Sequence, residues 1–385
     1  MLGPTSRLIY HASLRITPYK YNNQLSQHAL IKAAPSPKTS RPPSTPQCRP
    51  HKTTSPPLAT DTTSPLPTLS KSAGCAIYLK LENLQPSGSF KSRGIGNLML
   101  THLTPLPPSS RSLVHFYSSS GGNAGLACVV AAVSLGAPAT IVVPVSTSAF
   151  MVQKLRDAGA SAVLQEGASW YEADHYLQSV VIPDAQQRGE RPVYVPPFDR
   201  QEIWDGNATM VDEVLEDLGQ RPDAVVCSVG GGGLFSGIMQ GRERAGDEAR
   251  AMKVLAIETE GADSLNLSVR EGKLSTLPAI TSIATTLGAR TVAARAFEYS
   301  KEENVESVVL SDRDAMEGCV RFADDERIMV EASCGVSLAL CYGGRLKKVL
   351  PELTEESNVV VVVCGGKNIT AGMLQAWEEE LKQSA

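Results

Sequence analysis

The sequence contains no Cys-x-x-Cys pair and no Cys/His set at metal-ligand spacing, although it has 8 cysteines, so a zinc-stapled fold is excluded. Cys128, Cys227 and Cys364 sit inside apolar runs, where a thiol serves as a small buried hydrophobe. Scattered thiols of this kind are read as belonging to a reducing compartment. Acidic residues are absent from residues 1–60, which carry eight Lys or Arg. Against a net charge of −4 for the whole chain, this leaves −12 on residues 61–385. An acidic body lacks the clustered positive charge that displaces counterions from nucleic acid, so no nucleic-acid partner is expected. An unbroken membrane-length apolar run is missing too. Leu126–Val145 is uncharged, but Gly136 and Pro138 divide it into an Ala-rich half and a β-branched half. That pattern predicts a helix, a turn and a buried strand, and no membrane span.

What is present is a long chain with an ordinary core composition. The 385 residues are 42% hydrophobic and 20% charged, which excludes collagen-like and wholly disordered classes and predicts two or three domains. About half of the prolines precede residue 70, in runs such as PSPKTSRPPSTPQCRP. Residues 1–57 therefore read as a segment outside the fold, lacking the periodic apolar positions that would offset the entropy of ordering it. Their Arg-containing, Ser-rich, acid-free composition is that of an organelle transit peptide; a disordered tail and a mistaken gene start are the alternatives. Cytoplasm is the expected compartment, with a mitochondrial destination as the alternative this segment raises.

From Ala76 the pattern alternates between strands and helices. AIYLKLE (Ala76–Glu82) and LVHFYS (Leu113–Ser118) read as strands, with helices following at about Lys91 and over Gly122–Gly136. ATIVVP, SAVLQEG and PVYVPPF continue the strands, separated by helices over Ala149–Ala158 and around Tyr171–Gln187. Further on, AVVCSV (Ala224–Val229), VLAIE (Val254–Glu258) and VVVVVC (Val359–Cys364) read as strands, with a closing helix from about Thr370. Strands this uniformly apolar are buried on both faces, which predicts an α/β fold with helices on both sides of a largely parallel sheet.

Three of the strand-to-helix loops are built to receive a ligand. SGSFKSRG (Ser87–Gly94) places Lys91 at a helix start, where the dipole disfavours a cation. The placement makes sense for an amine that is neutral or tied up in an imine; a solvated surface lysine is the alternative. SSSGGNAG (Ser118–Gly125) offers bare glycines, small hydroxyls and Asn123 at a second helix start, suited to a ligand or simply to a tight turn. SVGGGGLFSG (Ser228–Gly237) sets four successive glycines before a third helix, a concave ring of N–H donors suited to a phosphate. It is no P-loop, because no Lys-Ser/Thr pair follows, and it does not match a dinucleotide fingerprint. Ligands of open α/β sheets bind at the carboxyl ends of strands, where these loops and VVCGGKNI lie. Together they suggest an aldehyde cofactor that bears a phosphate and is bound as an imine.

At these residues the chain resembles the serine/threonine dehydratases of the fold-type II pyridoxal-phosphate enzymes, and among them the short serine dehydratases. The resemblance runs from about Leu66 to the C-terminus and rests on KLENLQPSGSFKSRG, SSSGGNAG, PPFDRQEIWDG, SVGGGGL and VVCGGKNI. It implies two open, mostly parallel sheets: a large cofactor-binding domain of residues 58–84 plus 200–385, and a small domain of 85–199. Pyridoxal 5'-phosphate is then the cofactor, with Lys91 as its imine-forming lysine. Gly230, Gly231, Gly232 and Gly233 hold the phosphate, Asn123 faces the ring hydroxyl, and Cys364 lies beside the ring nitrogen. Ser120, Gly121 and Gly122 grip the substrate carboxylate, with Phe90 and Phe198 flanking the pocket. Glu258, Ala262 and Ser264, with backbone oxygens of Leu287 and Ala289, match a monovalent-cation site for which K⁺ is the expected ion.

The chain departs from the family in two places. TDTTSPLPTLSKSAG lacks the Trp that relatives carry before a Thr-Pro-Leu segment, which puts the N-terminal strand in doubt, and Lys367 stands where relatives often have a small polar residue. The implied reaction is a lyase one: L-serine to pyruvate and ammonia, with L-threonine to 2-oxobutanoate as side activity, in a homodimer. A thiol at position 364 is a weak acid, which favours β-elimination over reactions needing a long-lived carbanion. A biosynthetic threonine dehydratase, a serine racemase, and a non-catalytic protein binding a phosphometabolite are the competing readings.

Overall fold

The computed structural model describes residues 65–383. The segment 1–57, with its targeting expectation, lies outside the described residues. Among the described residues nine strands form two sheets in which every strand pairing is parallel. The larger has the order β1-β9-β6-β7-β8, and the smaller β4-β3-β2-β5. The larger sheet comprises β1 (Ala76–Leu81), β6 (Ala224–Ser228), β7 (Lys253–Thr259), β8 (Val305–Leu310) and β9 (Asn358–Val363). The smaller comprises β2 (Val114–Ser118), β3 (Ala139–Val143), β4 (Ala162–Gln165) and β5 (Arg191–Tyr194).

The apolar runs become strands because both faces are covered. Val359 to Val363 are all fully buried, in register from Ala76↔Asn358 to Leu81↔Val363 with β1. The uncharged stretch at Leu126–Val145 falls into a helix over Asn123–Leu135, a left-handed cap at Gly136 (φ 66) and β3. Among the described residues, no helix is long and apolar enough to cross a membrane. Strand β8 was not anticipated. It is an edge strand in which only Val305 is buried, so VESVVL lacks the unbroken apolarity of its neighbours. The first described element, α1 (Pro67–Ala73), is a helix rather than a strand, docked by the Leu66 N–H on the Ile77 carbonyl at 2.9 Å.

Two helices join the sheets. α2 (Lys91–Leu103) buries Ile95, Leu98, Met99 and Leu103 in the core of the smaller sheet, together with Ile203 from α6 (Gln201–Leu218). Between them in sequence lie α3 (Asn123–Leu135), α4 (Ala149–Asp157) and α5 (Trp170–Tyr176). The crossing of α2 and α6 is close because each contributes a glycine. A Cβ on Gly94 would lie 2.7 Å from the Ile203 carbonyl oxygen, and one on Gly206 2.5 Å from the Arg93 carbonyl oxygen.

Beside that crossing lies a buried ion network. Arg93 grips Glu82 through Nε and Nη2, both at 2.7 Å, and Glu213 through Nη1 and Nη2 at 2.7 and 2.6 Å. Lys80 reaches Glu213 at 2.7 Å. Both carboxylates, the guanidinium and the ammonium are buried, so each charge needs its partners. Replacing Arg93 by Met should destabilise the protein by about 3–5 kcal/mol, chiefly through the buried Glu82 carboxylate that loses its cation, measured as a lowered urea midpoint.

Candidate active site

Because all strands run parallel, β1, β6 and β9 deliver their following loops to one edge. Lys91 is the first residue of α2. The turn before it is stitched to the end of β9: the Phe90 N–H donates to the Cys364 carbonyl at 3.0 Å, and the Gly366 N–H to the Gly88 carbonyl at 2.9 Å. The Lys91 amine donates to the Pro197 carbonyl at 2.7 Å and lies 5.0 Å from the centre of the Phe90 ring. Burial pushes its pKa down to about 8, partly opposed by the Cys364 thiolate form. A helix N-terminus and an apolar wall both favour the uncharged amine, the form that attacks an aldehyde.

The glycine loop follows β6. Gly232 has φ 88 and caps α7 (Gly233–Ala245), whose first turn holds no acidic residue and no side-chain cap. The N–H groups of Gly230, Gly231, Gly232 and Gly233 meet no acceptor among the described residues. Side chains are excluded sterically. A Cβ on Gly231 would run into the Phe198 ring, and one on Gly230 would lie 2.9 Å from Leu287 Cα. Phe198 thus lies against the glycine loop, its carbonyl held by Trp204 Nε1 at 3.0 Å. A ring of free donors at a bare helix N-terminus is an anion site.

The serine loop after β2 repeats this pattern. Gly122 caps α3 without a side-chain bond, and no acidic residue occupies its first turn. Ser120 accepts the Gly122 N–H at 3.3 Å, and Gly121 packs where a Cβ would lie 3.0 Å from Thr147. Ser119 anchors the loop by donating to Asp174 of α5 at 2.6 Å, an oxygen that also accepts from Tyr194 at 2.6 Å.

The remaining expected residues divide. Cys364, at the end of β9, is buried, and its thiol is held protonated, well above the ordinary value, first by a hydrogen bond with Cys334 and then by burial. Asn123 is engaged across the cleft: its Nδ2 donates to Glu331 at 2.9 Å, and its Oδ1 accepts from the Lys367 N–H at 3.1 Å. Glu331, which sequence reasoning missed, is buried immediately before α10 (Ala332–Leu338), downstream of α8 (Ser264–Glu271) and α9 (Asp312–Glu326). Its signal was faint: an acid in the otherwise apolar or small run MVEASCGVSLAL. Glu258 lies elsewhere, on β7, its carboxylate accepting the N–H groups of Leu265 and Asn266 at the start of α8 at 2.9 and 2.8 Å. Burial pushes its pKa up to about 8 against those bonds. Beside it Ala262 is buried, and the buried Ser264 hydroxyl has no hydrogen-bond partner among the described residues. Among those residues no three His, Cys, Asp or Glu side chains gather as a metal site.

The sequence matches the family model of the pyridoxal-phosphate dependent enzymes over residues 58–365. The chain belongs to that family. It is similar to an L-serine dehydratase of Saccharomyces cerevisiae, 44% identical over 302 residues that make up 76% of this chain and 88% of the yeast protein. An L-serine dehydratase/L-threonine deaminase of Bos taurus is 44% identical over 317 residues, 82% of this chain and 93% of the bovine one. Among solved structures, a fungal L-serine ammonia-lyase from Rhizomucor miehei superposes with a TM-score of 0.75 at 33% identity, covering 84% of this chain and 98% of that one.

The residues present fit the family's cofactor. Four loop N–H groups without an acceptor, on backbone packed too closely against Phe198 and Leu287 for any Cβ, suit its phosphate, and a buried amine of lowered pKa suits its aldehyde. Uptake of pyridoxal phosphate by the cofactor-free protein should quicken as pH rises, with a midpoint near 8 in place of the 10.5 of a free lysine. Stopped-flow absorbance across pH 6–10 checks this, since only the deprotonated amine attacks.

Proposed function

We propose that this protein is a lyase that converts L-serine to pyruvate and ammonia, the water lost in the β-elimination being returned when the resulting imine is hydrolysed, and that it acts on L-threonine to give 2-oxobutanoate as a side reaction. The observation that carries this reading is the buried Lys91 amine. It is held against Pro197 at the edge where the glycine loop and the β9 end meet, in a chain 44% identical to named serine dehydratases. Pyridoxal phosphate, when bound, supplies the electron sink for charge at the substrate α-carbon. Gly230, Gly231, Gly232 and Gly233 would hold its phosphate, Lys91 its aldehyde carbon and Asn123 its ring oxygen.

On this reading the chain's own groups divide the work. The bare N-terminus of α3, with Ser120, Gly121 and Gly122, receives the substrate carboxylate. Lys91, once displaced by the substrate amine, is an uncharged base in a dry site and takes the α-proton at Nζ. Cys364 keeps its proton, so a neutral thiol rather than a strong acid would stand beside the cofactor's ring nitrogen. That arrangement supports prompt loss of the β-hydroxyl over repeated protonation at the α-carbon. The extra methyl of threonine changes binding by only about 1–3 kcal/mol, which is why both amino acids are expected as substrates.

Glu258, Ala262 and Ser264, with backbone oxygens of Leu287 and Ala289, belong to the same proposal as a K⁺ site, and the homodimer is its assembly. The orphaned Ser264 hydroxyl and the buried Glu258 carboxyl support an oxygen-lined cation site. K⁺ should then raise Tm over a tetramethylammonium control in the native protein and lose that effect in Glu258→Gln.

The decisive test is an absorbance spectrum of the purified protein with and without L-serine, with pyruvate assayed alongside. A cofactor band that shifts with serine, and a fall of about a thousandfold in pyruvate formation in Lys91→Ala, are expected. A shifting band with D-serine as product would make the protein a racemase. No band after addition of pyridoxal phosphate would return the glycine loops to simple ligand binding.

A further inference from the structure

Glu331 has no place in the reaction described above, yet it is only 3% exposed and sits beneath the loop that follows β9. A Cβ on Gly366 would run into its carboxyl group. Every hydrogen-bonding neighbour of this carboxyl is a donor. Asn123 Nδ2 donates to Oε1 at 2.9 Å, the Thr286 hydroxyl donates to the same oxygen, and the Asn368 N–H donates to Oε2 at 3.0 Å.

These bonds fix the Asn123 carboxamide in one of its two orientations. Its oxygen is committed to the Lys367 N–H, and one of its two N–H groups to Glu331. Rotating the amide by half a turn would set NH₂ against the Lys367 N–H and oxygen against the Glu331 carboxyl. Both contacts would be repulsive in a buried setting. One N–H of Asn123 remains uncommitted, on a half-buried side chain at the N-terminus of α3. The anchor is itself braced between the sheets, since Lys154 of α4 donates to the Lys367 carbonyl at 2.7 Å.

We infer that Glu331 is a positioning residue, which orients the Asn123 carboxamide so that it presents an N–H, and never its carbonyl, to the ring oxygen of the bound cofactor. The inference rests on the pyridoxal-phosphate reading and on Asn123 as the group at that oxygen. Donation by Asn123 keeps the ring oxygen ionised and the imine nitrogen protonated, the form that absorbs in the visible. A Gln at 331 brings an NH₂ group among three donors, so one of them must turn away and the carboxamide loses its fixed sense.

The test is a double-mutant cycle on the holoenzyme with Glu331→Gln and Asn123→Ala, read by the ratio of visible to near-ultraviolet cofactor absorbance without substrate, and by kcat and KM for L-serine. Glu331→Gln should move absorbance towards the ultraviolet and lower kcat by about tenfold, the low end of the effect of a hydrogen bond to a charged group, with KM changed much less. In the Asn123→Ala background the same substitution should change either readout by less than about twofold, the ordinary limit for independent sites. Glu331→Asp, which keeps the charge but withdraws it by one methylene, should fall between Gln and the native residue, and it decides the matter alone if the Gln variant does not fold. Independent, multiplying effects in the cycle, or an unchanged absorbance ratio in both single variants at 331, would overturn the inference. A native protein that takes up no cofactor fails earlier, at the functional reading itself.

Discussion

The site depends on one buried cation. Arg93 follows Lys91 by two residues in the first turn of α2, and its guanidinium is held in bidentate fashion by Glu82 at the end of β1 and by Glu213 on α6. Stability alone does not explain this choice, because an apolar cluster of similar volume would often be as stable as a buried ion network. What the apolar cluster lacks is direction. Two planar forks meeting at right positions fix the axial rotation and the height of α2 relative to the larger sheet. That sets where Lys91 emerges, while the glycine contacts at Gly94 and Gly206 let α2 and α6 approach closely enough for the forks to close.

A second constraint runs against local stability. Helices usually satisfy their first N–H groups with a Ser, Thr, Asp or Asn cap, worth about 1 kcal/mol each. Ser148, Ser169 and Ser311 follow that rule at α4, α5 and α9, the last in a full capping box, whereas α2, α6, α8 and α10 carry no side-chain cap. At α3 and α7 it is broken in the same way, with glycine at the cap and no acid in the first turn. Both of these helix starts belong to the candidate site. Free donors and an uncompensated dipole are unfavourable in the empty helix and favourable once an anion sits there, so these two starts suit ligand charge.

The sequence revealed these features unevenly, for physical reasons. The buried strands were legible because apolarity on both faces leaves no ambiguity of period, as at Val359–Val363. The glycine loops were legible because four glycines together have no cheap structural purpose. Strand β8 was missed because an edge strand is only half covered, so Val305–Leu310 mixes Glu and Ser with Val. Arg93 and Glu82 were visible within a recognised motif, but nothing local says that Glu213, 120 residues away, completes their network. The same holds for Glu331, whose partner Asn123 lies 208 residues earlier. Contacts between sheets are set by tertiary packing, and a single sequence carries no period or spacing that encodes them.

The charges of the finished site are sorted by position, and the sorting bears on which chemistry can run there. Donors without counter-charge line the helix starts, the neutral-leaning amine of Lys91 stands at the β1 side, and the buried acid that meets Asn123 is Glu331, already surrounded by donors. At the end of β9 the place open to an acid is taken by the Cys364 thiol, which Cys334 and burial hold in its protonated form. With no strong acid there, the cofactor when bound would delocalise charge at the substrate α-carbon less fully. The cheaper course is to expel a leaving group from the neighbouring carbon, and a β-hydroxy amino acid is the substrate that carries one.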